Sequence, residues 1–207
     1  MRKNNEIKGI IFDLGGVVLG SFELKFCKDA GKKLAISSKR LAKISEEEGV
    51  LAEMGKETNN QLWRKVSQKL GLNHTAAKVL ASLWLGHYKR GAKINKDTLA
   101  IIKQLRGNYK LGVISNTQRE HSAINRKRGL FKFFDVVILS NEVGFRKPQK
   151  EIFELASRRM HILLRHLLFI DDDVRWVRVA EEYGLWGVLF KTPAQLKKDL
   201  QKMGICL

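Results

Sequence analysis

The chain is poor in several things, and each shortage narrows what it can be. Only two prolines fall in its 207 residues, and no Ser/Gly-rich tract occurs, which argues against long linkers or disordered tails. Its two cysteines, Cys27 and Cys206, stand far apart without metal-ligand spacing. That excludes a disulfide framework and fits free thiols in a reducing compartment. No apolar run approaches the length needed to span a bilayer. The opening Met1-Arg2-Lys3 is basic like the start of a signal peptide, but Asp13 interrupts the only nearby apolar run and no small-residue cleavage site follows. The cytoplasm is the expected compartment.

Acidic residues are also scarce: 21 Asp and Glu face 39 Lys and Arg, a formal charge of +18. The basic residues are dispersed rather than gathered in a tail. The densest groups, Arg126-Lys127-Arg128 and Arg158-Arg159 with Arg165, fall on or near amphipathic helical patterns. They read as solvated helix faces in preference to a nucleic-acid surface. A broadly positive field would still draw anionic substrates. At 44% hydrophobic content the chain is ordinary for a globular protein with a real core.

What is present is a set of buried-strand patterns that end in polar groups. Ile10-Ile11-Phe12 runs into Asp13, then Leu14-Gly15-Gly16-Val17-Val18. Such a strand is buried on both faces and delivers its carboxylate to the sheet's carboxyl edge, where the glycines allow a sharp turn and a close ligand. Alone, Asp13 would equally suit a cap for the following segment. Lys110 to Ile114 is a second such run and ends in Ser115-Asn116. Leu167 to Ile170 is a third and ends in Asp171-Asp172-Asp173. Between them Gly144-Phe145-Arg146-Lys147-Pro148 sets a lysine just before a proline able to open a helix. Ligands of open α/β sheets sit at that edge, so the convergence of these groups is more specific than any one of them.

Between about Ser21 and Gly91 strand patterns vanish, and several amphipathic helices follow one another with turns at Gly55 and Gly71. Thr58-Asn59-Asn60-Gln61 has capping-box spacing. Leu80, Leu83, Trp84 and Tyr88 form a stripe at helical spacing, and Trp63 and Trp84 read as packing residues. From Asn95 onward helices near 96–106, 118–129, 149–160 and 174–184 alternate with strands near 109–115, 136–139, 167–170 and 187–190, before a final helix. The expected fold is α/β: a Rossmann-like, doubly wound parallel sheet. Residues 1–19 and 96–207 form its core, and residues 20–95 form an inserted all-α cap.

With these motifs in this order, the chain resembles the haloacid dehalogenase-like (HAD) hydrolase superfamily along nearly its full length. Phe133-Phe134-Asp135, Ser140 to Gly144 and Ile152-Phe153 add to the likeness. It is most similar to the "FDLGGV" phosphatase-like subset with a small helical cap. The resemblance implies a magnesium-dependent phosphatase acting on a small phosphorylated metabolite. Asp13 would be the nucleophile that forms an aspartyl-phosphate, and Lys147 would balance its charge. Ser115, Asn116 and Lys147 would hold the phosphate. Asp13, the backbone carbonyl of Gly15, and Asp172 would hold Mg2+, with Asp171 either touching the ion or supporting it from behind. Asp173 reads as a helix cap. The five histidines show no metal-ligand spacing and receive no role.

Two departures from the family pattern stand out. The usual second Asp, two residues after the nucleophile, is Gly15 here, so the general acid–base group is missing; a water or a cap residue such as Glu23 would have to move the proton. The usual Asn four residues after the second carboxylate of the last motif is Trp176. The competing readings are a 2-haloacid dehalogenase, and a weakly active or inactive hydrolase fold used for binding, nucleic acid included. No membrane partner is expected, and a monomer or homodimer fits equally.

Overall fold

A computed structural model describes residues 7–207, so the basic start at Met1-Arg2-Lys3 lies outside the described residues. Five strands, β1 (Gly9–Phe12), β2 (Lys110–Ser115), β3 (Val136–Leu139), β4 (Leu167–Asp171) and β5 (Trp186–Leu189), form one sheet. Their order is β3-β2-β1-β4-β5, and every pair is parallel. The chain steps outward from β1 to β2 and β3, then crosses to the other side of β1 for β4 and β5. That reversal opens a crevice at the carboxyl ends of β1 and its two neighbours, the place where such sheets bind ligands.

Helices α1 (Glu23–Leu34), α2 (Ser38–Glu53), α3 (Asn59–Lys69) and α4 (His74–Gly91) follow β1 without an intervening strand. Then α5 (Lys96–Leu105) leads into β2, α6 (Arg119–Lys127) into β3, and α7 (Ser140–Val143) with α8 (Lys150–Met160) into β4. Helices α9 (Val174–Glu182) and α10 (Pro193–Lys202) flank β5. The capping box at Thr58 is formed, with reciprocal bonds to Gln61. Pro148 does not open a helix: α8 begins at Lys150, with Gln149 as its cap residue. Pro148 instead follows a cis peptide in the loop before it.

Alternation along β1 divides the core. Ile10 and Phe12 join one apolar cluster with Leu111, Val113, Leu168 and Ile170. Ile11 points the other way and meets Ile114, Phe153, Met160 and Phe169, as the two-residue period of a strand requires. The first cluster continues without a break into Phe26, Leu41, Trp63 and Leu80 of the four-helix segment. This segment is entered and left through a narrow neck. Leu19 forms an antiparallel bridge with Ile94, Gly20 N–H donates to Lys93 O at 2.9 Å, and Asn95 N–H donates to Val18 O at 2.9 Å.

Aromatic rings tie the helices to the sheet domain. His121 of α6 stacks on Tyr88 of α4, with centroids 3.5 Å apart and planes 4° from parallel. Its ring is buried and its Nε2 lacks a partner. Burial, with the Arg128 charge adding to it, lowers the His121 pKa to about 3, against an ordinary 6.5. Because the folded value lies below the unfolded one, the unfolded chain binds the extra proton between about pH 6.5 and 3. The stabilising effect of a neutral His121 is complete above pH 6.5 and is lost as pH falls through that window. At pH 5 the loss is about 2 kcal/mol, from ~1.4 kcal/mol per pH unit. Urea unfolding at pH 7 and pH 5 should therefore show a steeper fall for the wild type than for His121→Phe. Equal falls would exclude this assignment.

Candidate active site

Register sets the centre of the site. Phe12 lies level with Val113 of β2 and Ile170 of β4, and Asp13 N–H donates to Ile170 O at 2.9 Å. Asp13 therefore leaves β1 beside Asp171, the last residue of β4, and near Ser115, the last of β2. All three are buried. The chain then turns at Gly16, whose φ of 76° favours glycine; a Cβ there would lie 1.9 Å from Asp172 Oδ2. Gly16 thus allows both the turn and the approach of Asp172.

Lys147 is placed by a partner distant in sequence. Asn116 accepts from Lys147 N–H at 2.8 Å through Oδ1 and donates to Lys147 O at 3.0 Å through Nδ2. The residue after β2 thereby fixes the loop between β3 and α8. The ammonium of Lys147 donates to Asp13 Oδ1 at 2.6 Å and to Asp171 Oδ2 at 2.5 Å, and is only 2% exposed. Asp171 Oδ1 also accepts from Asp173 N–H at 2.9 Å. Asp173 caps α9 by accepting from Arg175 N–H, the role its position suggested. Neither Ser115 nor Asn116 caps α6, which begins at Arg119.

Charge is unbalanced here. Asp13, Asp171 and Asp172 each offer a carboxylate oxygen, and the three lie within 4.8 Å of one another. With all carboxylates ionised, one ammonium leaves two net negative charges at the bottom of the cavity. Burial pushes Asp13 up to about 7; Lys147 opposes this, while Asp171 and Asp172 reinforce it. Asp172 is raised to about 6, by desolvation and then by the Asp171 charge. Burial disfavours the charged form of Lys147, but Asp13 and Asp171 outweigh it and hold its pKa above the ordinary value. An oxygen-only donor set with an excess of two negative charges suits a hard divalent cation.

The haloacid dehalogenase-like hydrolase family matches residues 7–184. The chain belongs to this family. A D-ribitol-5-phosphate phosphatase from Bacteroides thetaiotaomicron is 26% identical over 188 residues, covering 86% of this chain and 89% of that one. A glyceraldehyde 3-phosphate phosphatase from Methanocaldococcus jannaschii is 24% identical over 189 residues, 86% of this chain and 82% of its own. A HAD-family enzyme from B. thetaiotaomicron, solved with magnesium and inorganic phosphate, shares the fold at a TM-score of 0.66 and 23% identity. The match covers 89% of this chain and 94% of that one.

In this HAD hydrolase the carboxylates open into a cavity of about 450 Å³ between the sheet edge and the four inserted helices. Gly15 lines it, and a Cβ at that position would meet nothing nearer than Asp13 Oδ2 at 3.8 Å. Glu23 and Trp176 line it too; Glu23 is engaged locally, accepting from Phe22 N–H at 2.9 Å. Sequence patterns missed its far wall. Trp63 and Trp84 both pack in the core as read, and both also line the cavity, where Trp63 is buried and Trp84 half-buried. Gln118 and His121 line the cavity as well, and no spacing announced them, because their position depends on how α6 packs against α4. The basic run Arg126-Lys127-Arg128 is partly spent within the fold: Arg126 pairs with Glu142, and Arg128 donates to the carbonyls of Ala92 and Lys89. Among the described residues no helix is long and apolar enough to cross a membrane.

Proposed function

We propose that the chain is a magnesium-dependent phosphatase of small phosphorylated compounds, with Asp13 as its nucleophile. The observation that carries this reading is the buried Asp13 at the tip of β1, 2.6 Å from Lys147 Nζ and clustered with Asp171 and Asp172. The two full-length relatives, both named phosphatases, support it. A carboxylate oxygen of Asp13 attacks phosphorus, the ester bond breaks, and the leaving oxygen takes a proton from solvent water. Water then attacks the aspartyl-phosphate and releases phosphate and Asp13. Lys147 holds Asp13 in place and offsets charge on the phosphoryl oxygens. Ser115, whose hydroxyl makes no hydrogen bond among the described residues, supplies a donor. Asn116 has one amide hydrogen left after its bond to Lys147 O.

Mg2+ would be held by Asp13, Asp172 and the Gly15 carbonyl, with Asp171 beside them, and would supply charge neutralisation and orientation of the phosphoryl group. We read residues 20–95 as the cap and residues 1–19 with 96–207 as the catalytic core. The paired neck at Leu19 and Ile94 supports that division. Two free thiols, one of them exposed, favour a reducing compartment such as the cytoplasm. Dehalogenation is disfavoured, since carbon attack by Asp13 has no use for the charge of Asp172.

The test is phosphate release from acetyl phosphate. Treatment with chelator should abolish it, and magnesium should restore it. Turnover that persists in chelator would overturn the reading, and halide release from 2-chloropropionate under those conditions would put the dehalogenase in its place.

A further inference from the structure

The far wall of the cavity is made of rings. Phe22, Trp84, Tyr88 and His121 form a contiguous group, with Phe22–Trp84 centroids 4.7 Å apart and Trp84–His121 centroids 5.5 Å apart. Phe22, Tyr88 and His121 are buried, whereas Trp84 is half-buried. Trp84 is therefore the ring with surface left to offer a ligand. An indole N–H can only donate, so its 3.0 Å bond to Gln118 fixes the amide of Gln118 with Oε1 toward Trp84. Both hydrogens of Gln118 Nε2 are left without a protein partner among the described residues, on a residue that is 6% exposed. That amide group is a donor open to a ligand in the cavity that Gln118 lines.

The cavity also selects by charge. Lys147 is the only cation among its lining residues, and it is committed to Asp13 and Asp171. Glu23, Glu46 and Glu53 line the same space. A leaving group carrying a carboxylate would meet carboxylates with no free cation, and a polyol could donate to the glutamates but would make no use of the ring faces. A flat, uncharged ring with a carbonyl oxygen satisfies both the rings and the amide.

Building on the phosphatase reading, we propose that Trp84 and Gln118 form a subsite for such a ring, making the substrate class nucleoside monophosphates with a carbonyl-bearing base. Trp84 would stack on the base, and Gln118 would donate to its carbonyl.

The experiment compares kcat/KM for uridine 5′-monophosphate, glycerol phosphate, ribitol phosphate and phosphoglycolate, with acetyl phosphate reporting the chemistry alone. The expected order places uridine monophosphate first. In Gln118→Glu, which still accepts from Trp84 but no longer donates, its advantage over glycerol phosphate should shrink by about tenfold, the worth of one hydrogen bond. Binding is read separately by titrating uridine monophosphate into Asp13→Asn with magnesium and following tryptophan fluorescence. Saturable quenching is expected, and it should vanish when Trp84→Phe is added.

If acetyl phosphate is not hydrolysed but the nucleotide still quenches Trp84, the phosphatase reading fails and the subsite stands. If acetyl phosphate is hydrolysed and ribitol or glycerol phosphate outruns the nucleotide, the subsite is overturned and the phosphatase stands. Absence of both quenching and preference overturns the subsite outright.

Discussion

Replacing Asp13 with asparagine is expected to cut magnesium-dependent phosphate release by at least about 10³-fold, the scale seen when a covalent nucleophile is lost. The fold should survive. Asparagine has the shape of aspartate, and its carbonyl can still accept from Lys147, whose ammonium sits 2.6 Å away. The substitution also removes one of three carboxylates that crowd a single ammonium in a buried site. Less like-charge repulsion remains, so in chelator Asp13→Asn should melt no lower than the wild type. Thermal melts beside phosphate assays separate the two effects. Near-wild-type turnover would remove Asp13 from the chemistry. A lost activity accompanied by a collapsed melting temperature would mean that Asp13 serves the fold instead.

The strands were legible because β1 and β4 are buried along their whole lengths, and such strands must be apolar runs. Where the run stops at Asp13, Ser115 or Asp171, the sheet edge has been reached. Parallel winding then brings the tips of adjacent strands together, which is how residues more than a hundred positions apart could be read as one site. The support of Lys147 was not legible. Its loop is fixed by Asn116, 31 residues earlier, and no local pattern encodes a contact of that range. Asn116 itself was expected to meet phosphate, and most of its amide is turned to the Lys147 backbone. The short helix at Ser140–Val143 also went unread, for four residues carry no periodicity. Trp84 shows the limit of helical spacing: the stripe reveals that its face is packed, and not that the same ring also borders a cavity. His121 and Gln118 became visible only once α6 lay against α4.

Gly15→Asp should raise activity on esters with poor leaving groups by about 10²-fold or more, within the range general acid–base help provides. Space permits it. Gly15 is not among the residues with positive φ, and an added Cβ would meet only Asp13 Oδ2 at an ordinary 3.8 Å. This differs from Gly16, where a Cβ would collide with Asp172. The cost is a further carboxyl beside Asp13, Asp171 and Asp172, whose repulsion favours the protonated form of the newcomer. Protonated is the state an acid needs before it can donate to a departing alkoxide, so the crowding works toward the role. The gain should depend on the leaving group. An alkyl phosphate, whose alkoxide is strongly basic, should benefit far more than p-nitrophenyl phosphate, which departs readily without a proton. Plotted against leaving-group pKa, log kcat/KM should therefore slope less steeply for Gly15→Asp than for the wild type. Parallel slopes, whatever the absolute rates, would show that the missing carboxyl is not what limits this chain and that another group already moves the proton.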